Sequence, residues 1–401
     1  MSSFKVYYSA ILEKFLTLAN QRKVIFFIWL LLVFGVTTKN YFLSTPNNYL
    51  IFKYAFLHAV DQLPLYNLYP EHHLDSNHYG PFFSLLFAPF AVLPNFIGMT
   101  LWQLANVFLL YFAIHNLPLS FKKVNAVYWI ITHEMLTAMF SFQFNISIAA
   151  IIVLSFVYIE KQKNIWATFF IALGFFVKLY GIIGLAFFFF VKQKPKFILY
   201  GILWCILLFI LPMAFFSPQF ILQSYHDWYV SLTEKQLLNA SLTSMQDISV
   251  MGMVRRITQN ASLSNLPFIL SGLLVFTLPY LRIKQYQSLN FRLLFLAATL
   301  IFTVIFSNSS ESPTYIIAFT GVAVWFVIQS KPKHPFILFL FIFAFLLTSL
   351  SPSDLFPKFI REQYIIPYSL KALPCMLIWI YISYQLLTNN FLLKENKTNN
   401  E

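Results

Sequence analysis

The sequence contains very few charged residues, and acids are the scarcest of them. Only 14 of its 401 residues are Asp or Glu, and charged residues of both signs make up 10% of the chain. A soluble domain has about 25% charged residues. Because 59% of the chain is hydrophobic, it cannot cover itself with a polar surface. The composition excludes a soluble globular protein and predicts an integral membrane protein with many spans.

Cysteine and the familiar catalytic motifs are also scarce or missing. Cys205 and Cys375 both lie in apolar segments, so we expect them to pack as small hydrophobes without a disulfide or a metal site. The sequence has no GxxxxGK[ST], GxSxG or HExxH motif, so it lacks the signatures of nucleotide hydrolysis, serine hydrolysis and zinc proteolysis. We expect no cofactor.

The chain consists instead of successive apolar segments that are long enough, or nearly so, to cross a hydrocarbon core of roughly 30 Å. They predict an all-α domain over residues 1–401 with about twelve transmembrane helices and an uncleaved first span. The predicted spans are 23–40, 80–116, 124–140, 146–160, 164–177, 180–191, 195–216, 266–281, 291–308, 312–330, 334–350 and 365–388. Prolines at 81, 89 and 94 interrupt the second span, so we expect a short or re-entrant piece at 81–93.

Basic residues predict the orientation of this bundle. With both termini in the cytoplasm, 18 of the 27 Lys and Arg residues lie in cytoplasmic segments, as the positive-inside rule requires. These clusters account for the net charge of +13 without a nucleic-acid partner. Loops 41–79 and 217–265 then lie outside and hold most of the polar residues. We expect chemistry on the outward face of a bacterial inner membrane.

The first outer loop contains two carboxylates in an acid-poor chain. In a helix, Glu71, Asp75 and His78 would share one stripe at spacings of four and three. Either acid could take a proton from an acceptor hydroxyl as a general base. Asp75 is preferred as the base because it lies nearer the membrane entry at Pro81, and Glu71 would then position the acceptor. A solvated loop between two spans is the alternative.

Three histidines in the same loop raise a metal site as a further alternative. They are His72, His73 and His78. Imidazole and carboxylate are ordinary metal ligands, but the spacing matches no metal motif. We therefore predict no metal at this site.

Cations on the outer side or inside spans are candidates for holding a phosphate. Lys178 lies at the tip of a predicted hairpin, where its alternative role is snorkelling to the interface. Arg255 and Arg256 are adjacent on the side where positive charge is disfavoured, and Lys371 lies within the last predicted span. Glu134 lies inside another span and is expected either to reach a polar cavity or to pair with Lys178.

Several short stretches, taken in order, resemble glycosyltransferase family 87, which groups polytopic enzymes of the GT-C superfamily. These stretches are Leu65-Tyr66, Tyr79-Gly80-Pro81-Phe82, residues 101–106, Gln143-Phe144-Asn145, Lys178-Leu179-Tyr180-Gly181 and residues 310–315. They cover most of the chain, and their order and spacing carry the resemblance. On this basis Tyr79, Gln143, Asn145 and Glu311 join the substrate-binding candidates.

The resemblance implies a GT-C-like fold and inverting transfer of a sugar, with mannose as the expectation. The donor would be a polyprenyl-phosphate sugar and the acceptor a glycan or glycolipid outside the cytoplasm, with a carboxylate of the first outer loop as base. The chain departs from the family at Asn48, where mycobacterial-type members carry Asp. An amide cannot act as a base, so either Asp75 or Glu71 has taken over or the activity is altered or absent.

A transporter or flippase for a lipid-linked saccharide is the alternative function. It would share the apolar bulk, the basic clusters and the aromatic loops. A transporter should place its polar residues near the bilayer midplane, whereas here the sequence gathers them in the predicted outer segments. This distribution favours the enzyme.

Overall fold

A computed structural model of the chain describes residues 20–393, and all regular structure in that range is helical. The all-α prediction is therefore confirmed. The principal helices are α1 (Arg22–Leu43), α2 (Asn47–Val60), α3 (Pro81–Ala91), α4 (Asn95–His115), α5 (Phe121–Phe140), α6 (Asn145–Glu160), α7 (Asn164–Val177), α8 (Lys194–Ile210), α9 (Pro218–Asn239), α10 (Val250–Thr258), α11 (Leu266–Thr277), α12 (Leu289–Ile305), α13 (Tyr315–Ile328), α14 (Pro335–Ala344) and α15 (Ala372–Thr388).

Tighter or wider helical turns extend and connect these helices. The 3₁₀ segments are Leu179–Phe190, Leu211–Ala214, Leu278–Leu281, Ile283–Gln287 and Ser312–Thr314. The π-helical segments are Phe345–Leu350 and Arg361–Ile365, the second preceded by an α-helical turn at Lys358–Ile360. Three continuous helices in the described range, α1, α4 and α8 with its 3₁₀ extension to Ala214, are long and apolar enough to cross a membrane.

Shorter apolar helices make up most of the remaining predicted spans. Their positions follow the predicted ones closely, including the separate short helix α3 ahead of the full-length α4. The apolar helices are typical of a membrane protein. The number of about twelve spans, the re-entrant path of α3, the single-domain organisation and the orientation stay predictions.

The core is centred on α6, α12 and α13. Nearly every side chain of these three helices is buried, which is the pattern of helices surrounded on all sides by other helices. Outer helices instead expose large apolar residues, such as Leu199 of α8 at 63% and Phe42 of α1 at 70%. The outer surface of the bundle thus carries apolar side chains, as contact with lipid requires.

A close approach of two glycines forms the hairpin that positions Lys178. A Cβ on Gly181 would lie 2.3 Å from Cα of Gly174, so only glycine permits this contact between α7 and the 3₁₀ segment Leu179–Phe190. A 3₁₀ helix rises about 2.0 Å per residue, against 1.5 Å in an α-helix. The 12-residue return segment therefore reaches farther than an α-helix of equal length, and Lys178 occupies the tip, as predicted.

The two long predicted outer loops contain helices of their own. Residues 41–79 include α2, and residues 217–265 include α9 and α10. The stretch from Glu71 to His78 is irregular, so the shared helical stripe does not form. Asp75 Oδ1 accepts the N–H of Ser76 at 2.8 Å and Asn77 Oδ1 accepts the N–H of Tyr79 at 3.0 Å. Such local side-chain bonds compete with helix formation.

Candidate active site

An open cavity of about 400 Å³ lies at one end of the bundle, where loop 61–80 and α9 meet the turns between helices. We call it the main cavity. Five candidates from four distant parts of the sequence line it together: Asp75, Tyr79, Gln143, Lys178 and Glu311. Asn145 supports this group through hydrogen bonds to Lys178 and Gln143.

Lys178 is held in the main cavity by neutral groups. Its Nζ donates to Asn145 Oδ1 at 2.8 Å and lies 5.5 Å and 5.2 Å from the ring centroids of Tyr79 and Tyr180. No carboxylate lies within ion-pair distance of this ammonium in the described part of the chain. The aromatic faces stabilise the cation without neutralising it, so its charge remains available to an anionic ligand.

A chain of hydrogen bonds extends from Lys178 across the cavity wall. Asn145 Nδ2 donates to Gln143 Oε1 at 2.6 Å, and Gln143 Nε2 donates to Glu311 Oε2 at 2.7 Å. Lys235 Nζ of α9 approaches the other oxygen, Glu311 Oε1, at 3.5 Å. Each amide orientation is fixed by a neighbour on both sides, so the wall is preorganised.

Loop 61–80 is fastened to the bundle at Tyr79 and Gly80. The Tyr79 hydroxyl accepts the backbone N–H of Phe144 at 3.3 Å, and the Gly80 N–H donates to the carbonyl of Val177 at 3.1 Å. A Cβ at Gly80 would lie 2.1 Å from the carbonyl oxygen of Phe176. Glycine therefore lets the loop lie directly against the end of α7, beside Lys178.

Asp75 and Glu71 occupy different surroundings. Asp75 lines the main cavity, and the only hydrogen bond of its carboxylate in the described residues is the one from its neighbour Ser76. One of its oxygens is therefore free to accept a proton or a hydroxyl. Glu71 is exposed, as Asp75 is, but it does not line the cavity. The geometry agrees with the preference for Asp75, whose role as base stays a prediction.

His78 contributes a neutral imidazole beside Asp75. Its Nδ1 lies 2.7 Å from the hydroxyl of Ser231 on α9, and its carbonyl accepts the indole N–H of Trp228 at 3.0 Å. Burial lowers the pKa of His78 to about 3, and the positive charges of Lys235 and Lys178 add to this effect. The ring is therefore uncharged at physiological pH.

The remaining histidines of the loop pack in an aromatic cluster. His72 stacks on Tyr54 with ring centroids 3.9 Å apart, and His58 and His73 contact the same cluster. Within residues 20–393, no three His, Cys, Asp or Glu side chains are arranged to hold a metal ion. Packing against α2 thus accounts for His72 and His73, two of the three histidines that the sequence offered as possible ligands.

Arg255 and Arg256 lie away from the main cavity and bind protein groups. Arg255 is 3% exposed and donates from Nη1 to Asp247 Oδ2 at 2.6 Å, from Nε to the Leu263 carbonyl at 3.1 Å and from Nη2 to Asn265. These bonds tie α10 to the segments on either side of it. The sequence showed two cations on a disfavoured side, but not the buried partner that neutralises one of them.

Arg256 is bonded in the same way, mainly to backbone. It is 4% exposed and donates to the carbonyls of Leu242, Ser244 and Asp247 and to the hydroxyl of Ser369. It borders a separate, mostly apolar cavity together with Lys371. Neither arginine contacts the group around Lys178.

Lys371 forms a buried ion pair with Glu134. Its Nζ lies 2.9 Å from Glu134 Oε1, and both side chains are inaccessible at 3% and 0% exposure. The same ammonium donates to the carbonyl and hydroxyl of Ser312 at 3.1 Å and 2.9 Å. The suggested pairing of Glu134 with Lys178 is wrong, because Lys178 bonds to Asn145 in the main cavity.

Lys235 and Gln246 are among the cavity residues that were not predicted from the sequence. Lys235 is the only Lys or Arg between residues 197 and 254, so it is an isolated cation of the predicted outer loop 217–265, a signal as clear as that of Arg255. Gln246 lies between turn signals and gives no comparable signal. Asn48, the departure from the family pattern, does line the main cavity, where its amide donates to the Ser141 carbonyl at 2.7 Å.

The described helices thus form an apolar bundle with a polar, partly charged cavity at one end. The family model of glycosyltransferase family 87 matches residues 77–307, more than half of the chain. The chain belongs to this family and is a glycosyltransferase. The finding favours the enzyme over the transporter or flippase. Among curated proteins and among solved structures, nothing matches the chain.

Proposed function

We propose that this glycosyltransferase moves a hexose, mannose by its resemblance to the family, from a polyprenyl-phosphate donor to a hydroxyl of a glycan or glycolipid. The reaction would take place on the outward face of a bacterial inner membrane. One observation carries the proposal: the main cavity combines the cation of Lys178, which has no ion-pair partner in the described residues, with the free carboxylate oxygen of Asp75. These are the two groups that displacement of a phosphate by a hydroxyl needs.

Lys178 is the proposed contact for the donor phosphate. As the anomeric carbon–oxygen bond breaks, the electron pair stays on the leaving phosphate oxygen and increases its negative charge. A fixed cation near that oxygen stabilises the transition state more than the ground state. Asn145 and the rings of Tyr79 and Tyr180 hold the ammonium in place, so little reorganisation is needed.

Asp75 is the proposed base. Its carboxylate would take the proton of the acceptor hydroxyl while the hydroxyl oxygen attacks the anomeric carbon from the side opposite the phosphate. One carbon–oxygen bond forms, one breaks, and the configuration inverts. Asn48 also lines this cavity, but its amide can only hydrogen-bond a substrate. The base role has therefore moved along the loop from the position of Asn48 to that of Asp75.

Gln143, Glu311 and Lys235 are proposed to bind the hydroxyls of the transferred sugar. Gln143 donates a hydrogen bond to Glu311, Lys235 approaches Glu311 at 3.5 Å, and all three side chains line the main cavity. Hydroxyl recognition by fixed polar groups discriminates strongly, because a missing partner leaves a buried group unsatisfied. This wall is where we expect the choice of hexose to be made.

The test uses the purified full-length protein in detergent with radiolabelled sugar donors. We expect transfer from polyprenyl-phosphate hexoses to a panel of glycan acceptors and none from the corresponding nucleotide sugars. Transfer from nucleotide sugars alone would overturn the donor assignment. Lys178→Met should weaken donor use, whereas Lys196→Met, at the predicted cytoplasmic start of α8, serves as the matched control.

A further inference from the structure

A second cavity adjoins the main cavity on the side of α9. It has a volume of about 430 Å³, and we call it the side cavity. The two cavities share one wall, formed by Asp75, Ser76, His78, Lys235 and Gln246. The proposed base therefore stands between the two spaces and can be reached from each.

The side cavity is lined mainly by hydrogen-bonding groups. Beyond the shared wall its polar residues are Tyr66, Ser231, Glu234, Asn239 and Ser244. Within the described residues, the side chains of Glu234 and Gln246 have no hydrogen-bond or ion-pair partner in the protein. These groups, with the free oxygen of Asp75, offer several unused bonds to a ligand rich in hydroxyls.

The charge of the side cavity is the opposite of what an anionic ligand needs. Asp75 and Glu234 contribute two carboxylates, and the one cation, Lys235, is drawn toward Glu311 on the main-cavity side. His78 is neutral, because burial and the nearby lysines lower its pKa to about 3. A phosphate or carboxylate placed here would face two carboxylates and a single lysine that Glu311 already engages, so its charge would be poorly balanced.

The walls also lack the apolar surface that a lipid chain would need. Only Leu238 and Met245 are large apolar residues among those that line the side cavity. The cavity behind α7 and α8 offers a contrast, since its lining is almost wholly aliphatic and aromatic. A hydrophilic ligand is thus favoured in the side cavity.

We propose that the side cavity binds the acceptor and that the bound part of the acceptor is a neutral carbohydrate. This inference rests on the proposed function and extends it by naming the acceptor class. A sugar in the side cavity can direct one hydroxyl past Asp75 toward a donor held at Lys178. Donor and acceptor would then enter separate spaces and meet at the shared wall.

A binding experiment without any donor tests the assignment directly. Neutral di- and trisaccharides and their 6-phosphate counterparts are titrated into the full-length protein in detergent and followed by saturation-transfer NMR. We expect the neutral sugars to bind at least about tenfold more tightly than the phosphates, the factor that one uncompensated charge contact of about 1.4 kcal/mol produces. Equal or tighter binding of the phosphates, or no binding of neutral sugars, would overturn the proposal.

Glu234 supplies the matched variants, because it borders only the side cavity and its exposed position should tolerate change. Glu234→Leu should weaken neutral-sugar binding about tenfold, the loss expected for one charge-assisted hydrogen bond. Glu234→Lys should improve binding of the 6-phosphates. Glu362→Leu, at another exposed glutamate, should change neither. Unchanged neutral-sugar affinity in Glu234→Leu counts against the site.

Transfer assays separate failure of this inference from failure of the proposed function. If the protein uses a polyprenyl-phosphate donor but prefers phosphorylated acceptors, the function stands and the acceptor class is wrong. If neutral sugars bind as expected but no polyprenyl-phosphate donor is used, the acceptor site stands and the donor is wrong. Glu234→Leu should raise KM for the acceptor and leave KM for the donor unchanged.

Discussion

Two groups of cations look alike in the sequence and differ in the structure. Lys178 and the Arg255–Arg256 pair each carry positive charge into an apolar chain, on the side that the sequence predicts to face outward. Lys178 is held by an amide and two rings and lines a polar cavity. Arg255 is buried against Asp247 and binds further backbone and side-chain oxygens. The first cation can serve a ligand, and the second serves the fold.

The two cations differ in burial, since Arg255 is buried and Lys178 is half-buried, and above all in their partners. In a buried ion pair each charge is balanced by its own counter-ion, and removing one partner leaves the other charge unbalanced. A half-buried cation whose partners are all neutral remains available to an anionic ligand. Lys371, paired with Glu134, falls in the same class as Arg255. The following predictions test this distinction.

The largest effect is expected for Asp75, the proposed general base in the main cavity. Asp75→Asn preserves size and hydrogen bonding but removes the proton acceptor. It should lower kcat by about 10²- to 10⁴-fold, the usual contribution of general base catalysis, while donor binding and thermal stability stay unchanged. Single-turnover transfer from a radiolabelled donor measures the effect.

Glu71→Gln is the control for the base, because Glu71 lies in the same loop but outside the main cavity. It should keep nearly full turnover. If Asp75→Asn remains fully active while Glu71→Gln is inactive, the two roles are reversed. Full activity in both variants would reject a carboxylate of this loop as the base.

The next largest effect is expected on stability at the arginine cluster. Arg255→Gln leaves the buried carboxylate of Asp247 without its counter-ion, which should cost about 3–5 kcal/mol of unfolding free energy. As candidates for holding a phosphate, the two arginines would instead be expected to affect donor binding. The contacts lead to the opposite expectation: a lower melting temperature in detergent and an unchanged KM for the donor in the protein that remains folded.

A paired replacement is the control for this stability effect. Arg255→Met combined with Asp247→Leu removes both charges and should recover much of the lost stability, because replacing a buried ion pair by apolar groups is often neutral. Weaker donor binding in Arg255→Gln at unchanged stability would place the arginines back among the ligand-binding residues.

An intermediate effect is expected for Lys178. Lys178→Met removes the cation but keeps the length of the side chain, and no buried carboxylate loses an ion-pair partner in the described residues. The melting temperature should change little, whereas KM for the donor should rise by about 10- to 100-fold, the contribution of a charge-assisted hydrogen bond to a phosphate. Lys371→Met should show the reverse pattern, a loss of stability without a specific loss of donor affinity. If the two variants changed melting temperature and KM for the donor alike, the proposed distinction between the two lysines would be wrong.

Most of the helices could be predicted from the sequence. Apolar segments of spanning length report a membrane environment directly, and Pro81, Pro89 and Pro94 marked the separate helix α3 ahead of α4. The tip of the hairpin at Lys178 was also predictable, because basic residues on both sides required the chain to return. The 3₁₀ form of the return segment was not, since its apolar sequence would fit an α-helix equally well.

Many residues of the site could be predicted from the sequence, but the hydrogen bonds and ion pairs between them could not. Gln143 and Asn145 stand in one turn and Lys178 in another, and only the folded chain shows that they form one hydrogen-bonded series. The partner of Glu134 could not be chosen either, because two embedded lysines were available and sequence distance does not report which turn faces which helix. Partner choice inside a helical bundle is a property of packing.

The smallest effect concerns pH and extends the comparison to a neutral group beside Lys178. Burial, together with Lys235 and Lys178, lowers the pKa of His78 to about 3 in the folded protein, whereas an unfolded histidine titrates near about 6.5. Between these values the unfolded state binds the extra proton, so stability is fully present above about pH 6.5 and falls as pH decreases, by at most about 1.4 kcal/mol per pH unit. His78→Asn should flatten this slope when melting temperature is followed from about pH 7 to about pH 5. His226→Asn, at an exposed histidine of α9, should leave the slope as it is. An unchanged slope in His78→Asn would mean that His78 is not held neutral by the cavity, and a steeper slope in Lys178→Met would contradict the contribution assigned to the Lys178 charge.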